Sequence, residues 1–198
     1  MLFPCSTSGL GRISGGDQAG PKECAVHPSL TFHIGEKVVY PNHGVATIEN
    51  ISSRAFAGHF ERFYLLKLTY TSMTVMVPFS HVEDLRLRKV TRNVDVSRVV
   101  GFLSEGRCRR HQDWKDRFKE NSEKMQNGSL LDVAEVMKGL LLLQLEKPLS
   151  FREKKMLDRA RHMLITEFST SRGLGEAEAA DMLEKALNKA QLKLPEAL

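Results

Sequence analysis

Lys37–Ile51 reads KVVYPNHGVATIENI, and Met73–Pro78 reads MTVMVP. The first phrase sets a valine-rich run, Lys37–Tyr40, against a second run, Val45–Ile51, across the turn chemistry of Pro41-Asn42-His43-Gly44. In the second run Val45, Thr47, Glu49 and Ile51 alternate with Ala46, Ile48 and Asn50, the period of a strand. Ala57-Gly58-His59 makes the next turn, Phe60–Tyr70 (FERFYLLKLTY) a long aromatic strand, and MTVMVP a further one. About five short strands within roughly sixty residues cannot form a large open sheet, so a closed small barrel is expected over Phe32–Val90.

Outward from this stretch the pattern changes. Met1–Leu30 is rich in Gly, Ser and Pro without an apolar period and reads as a disordered tail, or as sequence upstream of the usual start. From Val94 to Leu103 the period is helical. Asp113–Gln126 is a charged helix stopped by Asn127-Gly128. Ser129 with Asp132 opens a helix carrying Val133, Val136, Leu140 and Leu143. Ser150 and Glu153 form a capping box for a long helix through Phe168, with Met156, Ala160, Met163 and Ile165 as its expected buried stripe. Ser171–Gly175 is a loop and Glu176–Ala190 the last helix. Short loops imply a compact bundle with antiparallel neighbours. The fold class is α+β in two domains: a tail at 1–30, a β domain at 31–90, a helical domain at 91–192 and a short tail at 193–198.

Composition narrows the function classes. The net charge of +5 weakly favours acidic partners such as nucleic acid. No run of eighteen apolar residues exists, so no membrane span is expected, and residues 1–10 lack the pattern of a signal peptide. Cys5, Cys24 and Cys108 form no CxxC pair, which argues against a disulfide framework and for a reducing cytosol. Phosphate-binding, dinucleotide, zincin and nucleophile-elbow motifs are all missing, so an enzyme is not expected. Cys24/His27 and Cys108/His111 have ligand-like spacings, but one pair lies in the tail and the other in a distant basic run, so neither a zinc centre nor any cofactor is expected. His43, in its turn, reads as a residue that satisfies backbone.

Two constellations carry more. Arg107–Lys124 (RCRRHQDWKDRFKENSEK) holds seven Lys or Arg against four Asp or Glu, and contains the chain's single tryptophan, Trp114. A lone tryptophan is commonly a core residue. This one stands at the start of a charged helix, after Arg107, Arg109 and Arg110, where an apolar wedge flanked by cations suits a minor groove. The residues by themselves leave both readings open. In MTVMVP, if Met73, Val75 and Val77 face inward, Thr74 and Met76 face outward. Pro78 either ends the strand or marks an open edge that could take a partner's strand.

Taken in order, FHIGEKVVYPNHGVATIENI, MTVMVP, W-x-x-R-F-K-x-N-x-x-K, DVAEVMKGL and LSFREKKMLDRAR resemble the CarD/CdnL bacterial transcription regulators, over about Phe32–Ala190. The resemblance implies a Tudor-like β-module that docks on the RNA polymerase β subunit and a helical domain that touches promoter DNA. There a tryptophan wedges into the minor groove near the −10 element, without reading sequence, and stabilises the open complex. Trp114 is the matching position. Carried over by position, the polymerase contacts are Arg54, Met76 and Pro78, where some members have an arginine in place of Met76. The DNA contacts are Trp114, Arg117, Lys119 and Lys154, with Arg109 and Arg110 preceding them. Asp116 departs from the family pattern, in which many relatives have a basic residue, and a carboxylate beside phosphates costs affinity. The protein is thus expected to be a monomeric, cytoplasmic, nucleoid-associated regulator. The rivals are a protein adaptor without DNA contact and a stand-alone nucleic-acid binder.

Overall fold

The computed structural model describes residues 31–56, 59–108 and 114–195. The expected tail at 1–30, Arg109, Arg110 and His111 lie outside the described residues, as do Ala57 and Gly58 of the second turn and the last three residues of the chain.

Among the described residues five antiparallel strands, β1 (Lys37–Tyr40), β2 (Gly44–Phe56), β3 (His59–Leu68), β4 (Thr74–Pro78) and β5 (Arg88–Lys89), form one sheet in the order β4-β3-β2-β1-β5. The β1–β2 connection turns tightly because Asn42 and Gly44 both take positive φ, 65° and 86°. One face packs a small core in which Val38, Ala46, Ile48, Tyr64, Leu66 and Val77 are buried. Tyr64 anchors it: its hydroxyl accepts from Phe32 N at 3.3 Å, and its ring stacks on Phe79 at 4.0 Å.

The sheet is open where a closed barrel was expected. Closure would require β5 to pair with β4, but β5 is two residues long and pairs only with β1 among the described residues. The strands are also unequal: β2 has 13 residues and β3 has 10, so their hairpin runs past β4, which pairs β3 only from Phe63 to Lys67. Met73, expected to face inward, lies before β4 and is exposed. It belongs to the β3–β4 turn, where Ser72 takes φ 52° and Leu68 N donates to Met73 O at 2.9 Å.

The single alternation expected over Val45–Ile51 is broken by a bulge. Ile48 pairs with Leu66, yet Asn50 pairs with the adjacent Leu65, so Glu49 is the extra residue. A bulge of one residue reverses the faces beyond it. Ala46 and Ile48 point into the core before it, and the half-buried Ile51 does so after it, paired with buried Tyr64.

Five helices follow among the described residues: α1 (Asn93–Glu105), α2 (Trp114–Asn127), α3 (Leu130–Glu146), α4 (Phe151–Arg172) and α5 (Glu176–Lys189). α3 is central, touching α1, α2 and α4, and buries Val133, Val136, Met137, Leu140 and Leu141. The capping box forms at the start of α4: Ser150 N donates to Glu153 Oε2 at 2.9 Å and Glu153 N to Ser150 Oγ at 3.4 Å. Gly173, in the left-handed region, ends that helix. The buried stripe of α4 differs in part from the expected one. Ala160 and Met163 are buried, but Leu157, Leu164 and Phe168 join them, while Met156 and Ile165 are only half-buried. The reason is that α4 packs two ways, against α3 and α5 on one side and against β2 on another.

The seam between sheet and bundle is polar and specific. Glu167, 2% exposed, accepts both terminal nitrogens of Arg88 at 2.7 and 3.0 Å, together with Thr91 N at 3.1 Å and the Thr91 hydroxyl. The same guanidinium donates through Nε and a terminal nitrogen to Gly128 O at 2.9 and 2.6 Å, gripping the left-handed end of α2. Arg159 donates to Asn42 Oδ1 at 3.1 Å, and the Tyr70 ring lies 4.2 Å from that of His162. Each module therefore holds the other at several points along α4.

Candidate functional site

The bulge at Glu49 decides what the outer face of the sheet carries. Because faces reverse beyond it, Arg54 points away from the core instead of into it. Cross-strand partners share a face, and the register pairs Met76 with Leu65, Pro78 with Phe63, and Arg54 with Glu61. Arg54, Met76 and Pro78 thus lie on one face, with Phe63, Leu65 and Glu61 of β3 between them. Met76 is 39% exposed and Arg54 is exposed, while Phe63, Leu65 and Pro78 are half-buried. At its other end Val39 and Val45, on the same face, are buried, and α4 packs against β2. Among the described residues the β3–β4 end stays uncovered, and β4 is an edge strand. The result is an apolar strip, flanked by one arginine, beside unpaired backbone groups. Phe63 and Leu65 were missed in the sequence because FERFYLLKLTY is apolar on both faces and no pattern separates them.

The second surface lies at the N-terminal tips of α2 and α4. Trp114 is the first residue of α2 and Phe151 the first of α4. The first turns of the two helices are joined by Arg117, which donates to Glu153 Oε1 at 3.1 Å with both side chains only 12% exposed. Burial alone would push the Glu153 carboxyl up, but the bonds from Ser150 and the Arg117 guanidinium outweigh it and hold the group below the usual glutamate value. Arg117 is therefore committed to the protein's own fold. Lys124 is as well, bonded to Glu120 at 2.8 Å and Glu135 at 3.0 Å. Lys115, Lys119 and Lys154 are exposed, and so is Asp116. The charge count of Arg107–Lys124 thus overstates what the described part of the run presents to a partner.

A buried lysine inside the bundle was not foreseen. Lys138 is buried and donates to Phe102 O at 2.9 Å and Leu103 O at 2.6 Å, so its ammonium closes the carbonyl end of α1. Burial pushes its pKa down. Burial pushes the nearby Cys108 thiol up, which makes it a poor nucleophile. Among the described residues no group of His, Cys, Asp and Glu side chains is placed to hold a metal ion, and no helix is long and apolar enough to cross a membrane.

The described residues thus present two distinct surfaces, an open sheet face with an exposed apolar strip and a pair of helix tips with exposed lysines. Residues 32–91 match the CarD-like/TRCF RID domain and residues 98–184 match the CarD C-terminal domain. A putative transcription factor, YdeB, of Bacillus subtilis (strain 168) is 34% identical over 147 residues, covering 74% of this chain and 96% of that protein. The chain belongs to the CarD/CdnL family, whose role is transcription regulation.

Proposed function

We propose that the protein docks on the β subunit of RNA polymerase through the uncovered outer face of β2–β4, centred on Arg54, Met76 and Pro78. The helical domain then brings Trp114 to the minor groove near the −10 element, where it stabilises the melted promoter. The observation that carries the docking half is the register, which brings Arg54 onto one open face with the distant Met76 and Pro78, next to an edge strand. An exposed apolar strip beside unpaired backbone groups suits a partner that adds its own strand, with main-chain bonds giving affinity and side chains such as Met76 giving specificity. For DNA, Lys119 and Lys154 supply exposed cations, with Arg109 and Arg110 upstream of the helix. Arg117 contributes by holding α2 against α4.

Docking and wedging need each other. A few cations give weak, salt-sensitive contact with free DNA, whereas docking raises the local concentration of the helix tips at the promoter. The protein acts as a monomer on polymerase in the nucleoid. A second reading, an adaptor that binds polymerase without touching DNA, is favoured by the internal pairing of Arg117 and the exposed carboxylate of Asp116.

The test is capture of the polymerase β subunit by the full chain and by Met76→Asp, Leu65→Asp and Arg54→Glu. The proposal expects each substitution to weaken capture while leaving the thermal unfolding midpoint within a few degrees of the parent. Unchanged capture by all of them places the docking surface elsewhere.

A further inference from the structure

Phe151 is 66% exposed at the first position of α4, although its neighbours Leu149 and Leu157 are buried in the bundle core. These two leucines already seal this end of the helix, so Phe151 plays no part in the core. Positions 151, 154 and 155 share one face of a helix. Lys154 and Lys155 are exposed there, and Lys155 Nζ stands 4.6 Å from the centre of the Phe151 ring. Arg152 is exposed beside them, and Lys147 in the preceding loop.

The acids of α4 nearest this cluster make bonds within the protein. Glu153 is turned back onto Ser150 and Arg117, and Asp158, one turn further on, receives the Tyr70 hydroxyl at 3.4 Å. An exposed aromatic ring bordered by cations, with its only first-turn carboxylate withdrawn, complements a partner that is anionic and apolar at once. Duplex DNA is such a partner: phosphates alternate with the apolar edges of deoxyribose along the groove wall. The patch is also continuous with the tip of α2, through the Arg117–Glu153 bond.

We propose that Phe151, flanked by Lys154 and Lys155, is a second DNA-contacting residue, an apolar foot on the sugar–phosphate backbone that works alongside Trp114. This inference rests on the proposed DNA reading and adds a residue and a contact type to it. Phe151 covers deoxyribose without unstacking bases, while the lysines bind the adjoining phosphates, so the contact is indifferent to sequence.

The test uses the full chain on polymerase–promoter complexes, with the photo-crosslinker p-benzoyl-phenylalanine placed at position 151 or, separately, at 114. The expected result is a crosslink from 151 to labelled promoter DNA. Phe151→Ala should shorten open-complex lifetime several-fold without loss of polymerase capture, and Phe151→Trp should restore it. Lys154→Gln with Lys155→Gln should lower the salt slope of the lifetime by about 2, close to the loss of two phosphate contacts. A crosslink from 114 but not from 151, or from 151 to a polymerase subunit only, overturns this inference and leaves the DNA reading standing. Failure of both positions to reach DNA overturns the two together.

Discussion

Replacing Glu167 with alanine tests what holds the sheet against the bundle. Four hydrogen bonds end on this carboxylate, two from Arg88 and two from Thr91, and the carboxylate is almost wholly buried. Its removal leaves the Arg88 guanidinium with carbonyl and hydroxyl acceptors but no counter-charge. Breaking a fully buried pair from one side costs about 3–5 kcal/mol. Arg88 keeps 27% exposure, and water can partly solvate the orphaned charge, so the lower end, about 3 kcal/mol, is the expected loss here. For a chain of this size that corresponds to a fall in Tm of roughly 6–12 °C. The assay is thermal unfolding of the parent, Glu167→Ala, Arg88→Ala and the double variant. If the pair acts as one unit, the double variant is little worse than the worse single one, with a coupling of about 1.5 kcal/mol or more. Additive losses, or a fall below about 2 °C for Glu167→Ala, would refute the reasoning.

Two further predictions concern pH. The Glu153 carboxyl lies below its ordinary value of 4.5, so its contribution to stability is present above that pH and is lost as pH falls through the lower folded value. Glu153→Gln should therefore lower Tm near neutral pH and make little difference in strong acid; an equal deficit at both would show that the charge is not what matters. At the seam, burial pushes His162 below the ordinary 6.5, offset in part by Glu176 and Asp158, and burial, with Arg159, does the same to His43. The unfolded chain then takes up protons first, so stability is lost as pH falls from about 6.5 toward the folded values. His162→Phe keeps the ring against Tyr70, and its denaturant midpoint should decline less over that acid range than the parent's; parallel declines would count against the seam as the source.

The elements were legible in the sequence where a local pattern had a single meaning. The Ser150/Glu153 box, the stop at Asn127-Gly128 and the turn at Pro41–Gly44 each depend on a few neighbouring residues, and each formed at its place. Closure of the sheet was not legible, because it depends on the length of β5 and on which strands meet, neither of which is a local property. Nor was the bulge: in ATIEN nothing marks Glu49 as the extra residue, and the cost of a strict alternation appears only once Ile51 must reach the core with Tyr64. The same long-range effect hid part of the site. Arg54 and MTVMVP could be named by resemblance, but Phe63 and Leu65 emerge only from the register. Arg117, named as a DNA contact, turns out to be bonded to Glu153, a pairing across 36 residues that no spacing rule anticipates.

The central claim is that a docked sheet module delivers Trp114 to the promoter, and the lifetime of polymerase–promoter open complexes after a competitor challenge tests it most directly. With the parent protein the lifetime should rise several-fold. With Met76→Asp the rise should vanish together with polymerase capture, and with Trp114→Ala it should vanish while capture persists. A Trp114→Ala variant that prolongs the open complex as well as the parent does would contradict the account.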